Sequence, residues 1–448
     1  MAEENLESGG SAAFRAADLG PLKNGSFRRL LESRILGQVA QTALLYSLLI
    51  LVVRETGSSI QTTILVVSFI LPSILLGVPA GILADLLPAR PLVIAGYLGR
   101  AAAAALMLAN LGSLWTLYAL VFAIATIGQF TGPAEAAALP RMVAREQVGA
   151  ANALFALSVA LGQIAGGVAL APLLLKVSGV EPVLVVALCV YLAAALLAVL
   201  AESFAGERAR VRERQPRSLR PESAVPQGWR LLSDSRPVFN ALVYLAVAGT
   251  LAKALIVLAP HYSSDVLGLA SENTVFVVAP AGIGALLAFI AAPLLIRVLG
   301  ASRTTLLGLG VLLVTFAGLG LVVFVKDSLL DSVQLGIGID FIEREIGISS
   351  VITTAMLLAI PLGAAGTTVT IAGKAVINNE VPPGRQARAF ATQSAFADLA
   401  SLLPLLLAGA VAELAGVRAV LLLMAIAGFG VTLYFSRRRL AGRPDGAD

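Results

Sequence analysis

Within long apolar runs this chain places a few residues able to pair, bind or carry a proton: Gln38, Gln41, Arg100, Glu135, Lys253, Lys374 and Asp398. A charged side chain at the centre of a bilayer costs about 2.5–3.5 kcal/mol on insertion scales, so each needs a partner or a water-filled cavity. An acid in an apolar span is desolvated, which favours its neutral form, and this makes Asp398 the first candidate for proton coupling and Glu135 the second. The alternative for Asp398 is a structural acid satisfied by Ser, Thr or backbone groups. Lys253 is the deepest cation, placed to shape the potential around such an acid. Arg100 lies about ten residues into its run, roughly 15 Å of helix. Either it snorkels toward the cytoplasmic interface or it pairs with an acid such as Asp85.

Other chemistries find little footing. The chain has one cysteine, Cys189, inside an apolar run, and one histidine, His261, so neither an internal disulfide nor a histidine or cysteine metal cluster is expected. His261, beside Pro260 at the outer end of a run, reads as an interfacial residue. There is no G-x-x-x-x-G-K-[ST] loop for a nucleotide and no H-E-x-x-H pair. The chain is therefore expected not to be an enzyme or a primary pump and to use no cofactor.

The elements that position these residues are apolar helices. With 58% hydrophobic and 13% charged residues and a mean hydropathy of +0.89, the chain cannot cover 448 residues with polar surface, so the bilayer is its solvent. A run of about twenty apolar residues spans a ~30 Å hydrocarbon core, and in lipid only a helix or closed barrel satisfies its own backbone. Spans are predicted at 34–53, 60–84, 91–111, 114–138, 149–175, 181–201, 238–261, 274–297, 303–325, 351–375, 388–412 and 417–436. The fold class is thus an all-α polytopic membrane protein of twelve transmembrane helices.

The formal charge of +5 does not point to nucleic acid, because the basic residues lie between the spans. Arg90, Arg141, Arg145, Arg297, Arg303, Arg385, Arg388 and the arginines of 202–237 fall on one side, together with Lys23, Arg28 and Arg437 at the two ends. The opposite connections hold only Arg54, Lys176, Lys326, Arg344 and Arg418. The positive-inside rule then makes both termini cytoplasmic. The expected organisation is a cytosolic tail at 1–26, a six-helix bundle at 27–201, and an Arg-rich linker at 202–237 lying on an anionic leaflet. A second six-helix bundle at 238–439 carries an external insertion at 326–350 of no assigned role, and a tail at 440–448 follows.

The connection after the fourth span, from Gly132 to Gln147 and on to Asn152, has an echo after the tenth, from Gly373 to Arg385 and on to Phe390. Two six-span units used in the same orientation form the parallel repeat of transporters with a midplane site between halves. Two pseudosymmetric bundles are therefore expected. Glu135 and Lys374 fall at nearly equivalent repeat positions, where opposite charges could latch the halves or each simply reach the interface.

At these residues the chain resembles a major facilitator superfamily transporter from Phe27 to Arg439. Gly81, Asp85 and Arg90 match the superfamily pattern after the second span, while Leu86, Pro88 and Ala89 depart from it. The stretch Gly132, Pro133, Ala134, Leu139, Pro140, Ala151 and Asn152, with Thr56-Gly57-Ser58 and Leu258-Ala-Pro-His-Tyr262, resembles the bacterial branch of siderophore and macrolide exporters and lysophospholipid transporters. The resemblance implies an inner gate at Gly81, Asp85 and Arg90, with Glu135 and Lys374 as further gating candidates. It also implies a cavity lined by the first, fourth, seventh and tenth spans, which places Gln38, Gln41 and Lys253 near substrate. Its implication for function is a monomeric secondary transporter in a bacterial cytoplasmic membrane, exporting an amphipathic or apolar small molecule with protons as the coupling ion. A lipid or lysophospholipid carrier is the alternative within that class, and a non-transporting receptor or scaffold the alternative outside it.

Overall fold

The computed structural model describes residues 20–144, 147–201, 229–230, 232–233, 235–269, 274–325, 349–381 and 386–437. They form α1 (Gly25–Thr56), α2 (Ser59–Leu86), α3 (Ala89–Ala109), α4 (Leu114–Met142) and α5 (Val148–Ile164). The last of these widens into a π-helical stretch, Ala165–Leu170, and continues as Ala171–Ser178. Then come α6 (Val180–Leu200), α7 (Arg236–Asp265), α8 (Val275–Leu299), α9 (Ala301–Gly320), α10 (Ser350–Glu380), α11 (Gln386–Ala415) and α12 (Val417–Arg437). Twelve helices are long and apolar enough to cross a membrane, and no strand occurs among the described residues.

Single residues reverse the chain at three hairpins. Gly179, Gly300 and Gly416 each separate two helices and hold φ between 80° and 82°, a left-handed conformation that a side chain would strain. The helices also run longer than hydropathy suggests. α1 begins at Gly25 rather than near 34 because its first turns carry Arg28, Arg29, Glu32 and Arg34, polar but helix-compatible. This puts Arg34 well inside the helix. Most of the 202–237 linker and of the 326–350 insertion lie outside the described residues.

The chain forms two compact units. One comprises 1–48 with 75–221, the other 49–74 with 222–448. In the first unit Asn24 ties two helix ends together: its Oδ1 accepts from the Ser26 and Phe27 amides at 2.9 and 3.2 Å, and its Nδ2 donates to the Met142 carbonyl at 2.6 Å. It thereby caps the start of α1 and the end of α4 at once. Close packing of α5 on α1 depends on missing side chains. A Cβ on Gly162 would meet the Gln38 side chain, and one on Gly166 would collide with the Val39 carbonyl oxygen.

The second unit uses the same device between α8 and α10. A Cβ on Gly284 would collide with the Ile360 carbonyl, and one on Gly363 with the Ala281 carbonyl, so the two backbones approach as only glycine permits. On α8, Ile290, Leu294 and Val298 recur every fourth residue and are 71%, 63% and 73% exposed. In water such a ridge would be costly, whereas against acyl chains it is the required surface.

Candidate functional site

Two polar clusters lie among the apolar helices, one in each unit. In the unit of 49–74 and 222–448, the Lys253 Nζ on α7 donates to Asp398 Oδ1 on α11 at 2.6 Å and to Ser401 Oγ at 2.9 Å. Ser73 on α2 donates to the other carboxylate oxygen, Oδ2. Sequence spacing places Asp398 and Ser401 three apart on one helical face, so α11 supplies both the acid and a hydroxyl to the same ammonium. The side chains of Lys253 and Asp398 are 20% and 21% exposed. About four fifths of each side chain is thus enclosed by protein.

A second linkage joins the end of α11 to the start of α2. Glu413 on α11 accepts from Ser58 Oγ and from the Ile60 amide, at 3.1 Å for the latter, and so serves the free N–H groups at the start of α2 from another helix. His261 Nε2 lies 3.2 Å from Thr62 Oγ1. His261 lies one turn inside α7, which continues to Asp265, and is only 4% exposed, so protein covers it.

In the unit of 1–48 and 75–221, Glu135 on α4 is buried and both its oxygens are taken. Arg34 Nη1 on α1 pairs with Oε2, and the Tyr97 hydroxyl on α3 donates to Oε1 at 2.6 Å. The Arg34 guanidinium also stacks 3.7 Å from the centre of the Phe155 ring. Arg100 completes the cluster at 5.7 Å from the Tyr97 ring centre. It does not snorkel. It is 7% exposed and forms no ion pair among the described residues, and the side chain of Asp85, its expected partner, lies outside them.

The remaining candidates separate by environment. Gln38 donates to Thr42 Oγ1 at 3.2 Å, one turn along α1, and Gln41 is half-buried on the same helix. Arg90 donates to the Val199 carbonyl at 2.6 Å, and Arg29 to the Leu200 carbonyl at 2.5 Å, so two cations cap the end of α6. Lys374 is exposed on α10. Gly81 and Asp85 fall in the last turns of α2, and their side-chain surroundings are outside the described residues. The described residues contain no group of His, Cys, Asp and Glu able to hold a metal.

The family model described as Major Facilitator Superfamily matches residues 35–359. The chain belongs to the major facilitator superfamily. Its fold is that of solved transporters of this kind. The nucleoside transporter NupG, as a single-substitution mutant, matches with a TM-score of 0.71 at 13% identity, covering 92% of this chain and 99% of that one. The POT family transporter PepTSo matches with a TM-score of 0.70 at 12% identity over 93% of this chain and 98% of its own. A bacterial homologue of the iron transporter ferroportin matches with a TM-score of 0.61 at 17% identity over 92% and 98%. No curated protein matches the sequence. At these identities the neighbours share the major facilitator architecture, and they carry no information on cargo.

Sequence reading alone named both partners of the Lys253–Asp398 pair but missed Arg34, Tyr97, Ser73 and Ser401. A signal for Arg34 was available: Arg34, Gln38 and Thr42 repeat every fourth residue, a polar stripe on one face of an apolar helix. No one-dimensional pattern brings Ser73 to Asp398.

Proposed function

We propose that this chain is a secondary active exporter of an amphipathic or apolar small molecule, working by alternating access between halves 27–201 and 238–439 and exchanging cargo for protons. The Lys253–Asp398 pair carries the reading. The Asp398 carboxylate needs one neutralising partner in its apolar setting, either the Lys253 ammonium or a proton. A state that draws α7 away from α11 would exchange the first for the second, and the reverse would expel the proton. Ser73 would bring α2 into the same exchange.

A lipid or lysophospholipid cargo is the second reading, favoured by the surplus of positive charge at Arg34 and Arg100. In proteoliposomes with an imposed pH gradient, radiolabelled amphiphiles of either charge sign should be screened for uphill accumulation that a protonophore abolishes. If every amphiphile moves only downhill, or none moves, proton-coupled export is overturned, and complete absence of flux would favour a receptor or scaffold.

Basic-residue asymmetry supports a bacterial cytoplasmic membrane location with both termini inside. In a background with Cys189 replaced, single cysteines at Ser218 and Ser332 are expected to label from opposite faces. Labelling of both from one face would overturn the assigned sidedness.

A further inference from the structure

Among the described residues, the cluster on α1, α3 and α4 holds two guanidinium groups and one carboxylate, a surplus of one positive charge inside an apolar bundle. Glu135 cannot neutralise both arginines, because its Oε2 is paired with Arg34 and its Oε1 accepts from Tyr97. Arg100, 7% exposed, keeps its Nε without a partner, and the Nε of Arg34 and the hydroxyl of the fully buried Tyr191 are likewise unpartnered. Buried donors are almost always satisfied, and a buried cation is almost always paired. Water could satisfy the donors but not the charge.

We propose that Arg100 and Arg34 form the binding site for one oxyanion, a carboxylate or phosphate group, carried by the transported molecule. The donor geometry of the two side chains suits such a group. A planar guanidinium presents parallel N–H donors to such a group in a way an ammonium does not. Gly128 lets the Arg100 guanidinium sit directly against α4, since a Cβ there would stand 2.8 Å from Nη2. The Arg34 side chain is 21% exposed, so the cluster is not sealed. From it, Gln38 and Thr42 continue a hydrogen-bonding stripe along α1 for the polar part of the same ligand.

The inference rests on the transporter reading and not on Asp398. Its test uses the full-length protein in nanodiscs and four probes: octyl phosphate, octanoate, octanol and inorganic phosphate. Octyl phosphate and octanoate are expected to bind at least about tenfold tighter than octanol, as charge-assisted hydrogen bonds require. Inorganic phosphate competing at the same concentration as octyl phosphate would identify a free anion as the source, and weaker competition an amphiphile headgroup; both outcomes retain the site. Arg100→Gln should erase the preference for the anionic probes without loss of thermal stability, because it removes an uncompensated charge. Gly128→Ala, which crowds Arg100, should weaken the preference in a second, independent way. Asp398→Asn should leave it intact, so a failure of proton coupling is told apart from a failure of this site. Equal binding of octanol, or an undiminished preference in both Arg100→Gln and Gly128→Ala, would overturn the proposal.

Discussion

Asp398→Asn is expected to abolish uphill transport while leaving downhill exchange in place. Under a 100 mV gradient one proton carried per cycle supplies about 2.3 kcal/mol, enough to accumulate cargo about fiftyfold. The variant should fall to a ratio near one, because an amide offers Lys253 a dipole but neither neutralises its charge nor takes up a proton. Folding should suffer less than coupling. Removing one partner of a fully buried pair costs about 3–5 kcal/mol, but here both side chains are about a fifth exposed and Ser401 Oγ still accepts from the ammonium. The double variant Lys253→Gln, Asp398→Asn should recover any lost stability and still fail to accumulate cargo. Uphill transport by Asp398→Asn at the wild-type ratio would exclude Asp398 as the coupling site and move the role to Glu135.

The twelve helices were legible because lipid imposes a length and a composition on each span that hydropathy reports directly. Their ends were less so. The first helix was cut short at residue 34 because Arg28, Arg29 and Glu32 look like flanking charge, yet they extend the helix without interrupting it. Arg34 then stands at the very edge of the predicted span and draws no notice, and Glu135 is matched with Lys374 through the repeat alone. Pairing depends on which faces of distant helices meet, and a hydropathy profile has no term for rotation about the helix axis. Lys253 and Asp398 were found because each stands far from any span end. Ser73 and Ser401 are ordinary helical serines whose importance comes only from the carboxylate beside them.

The arginine cluster sets up an unequal response to removing either partner of its ion pair. Glu135→Gln would leave Arg34 and Arg100 both unneutralised, raising the buried charge from one to two, and also weakens the acceptor of the Tyr97 hydroxyl. Stability should fall by about 3–5 kcal/mol, the range for breaking a buried pair. Arg34→Gln removes a cation instead and leaves Arg100 and Glu135 as the only charges of the cluster, a neutral set. Its cost should be clearly smaller, limited mainly to the lost hydrogen bond and the stacking on Phe155. The double variant restores a single surplus charge and should be more stable than Glu135→Gln alone, a non-additivity that a double-mutant cycle measures. Thermal unfolding of the four proteins in one detergent would check the order. Arg34→Gln proving more damaging than Glu135→Gln would mean that Arg100 is neutralised in some other way, which would also remove the physical basis for an oxyanion at this site.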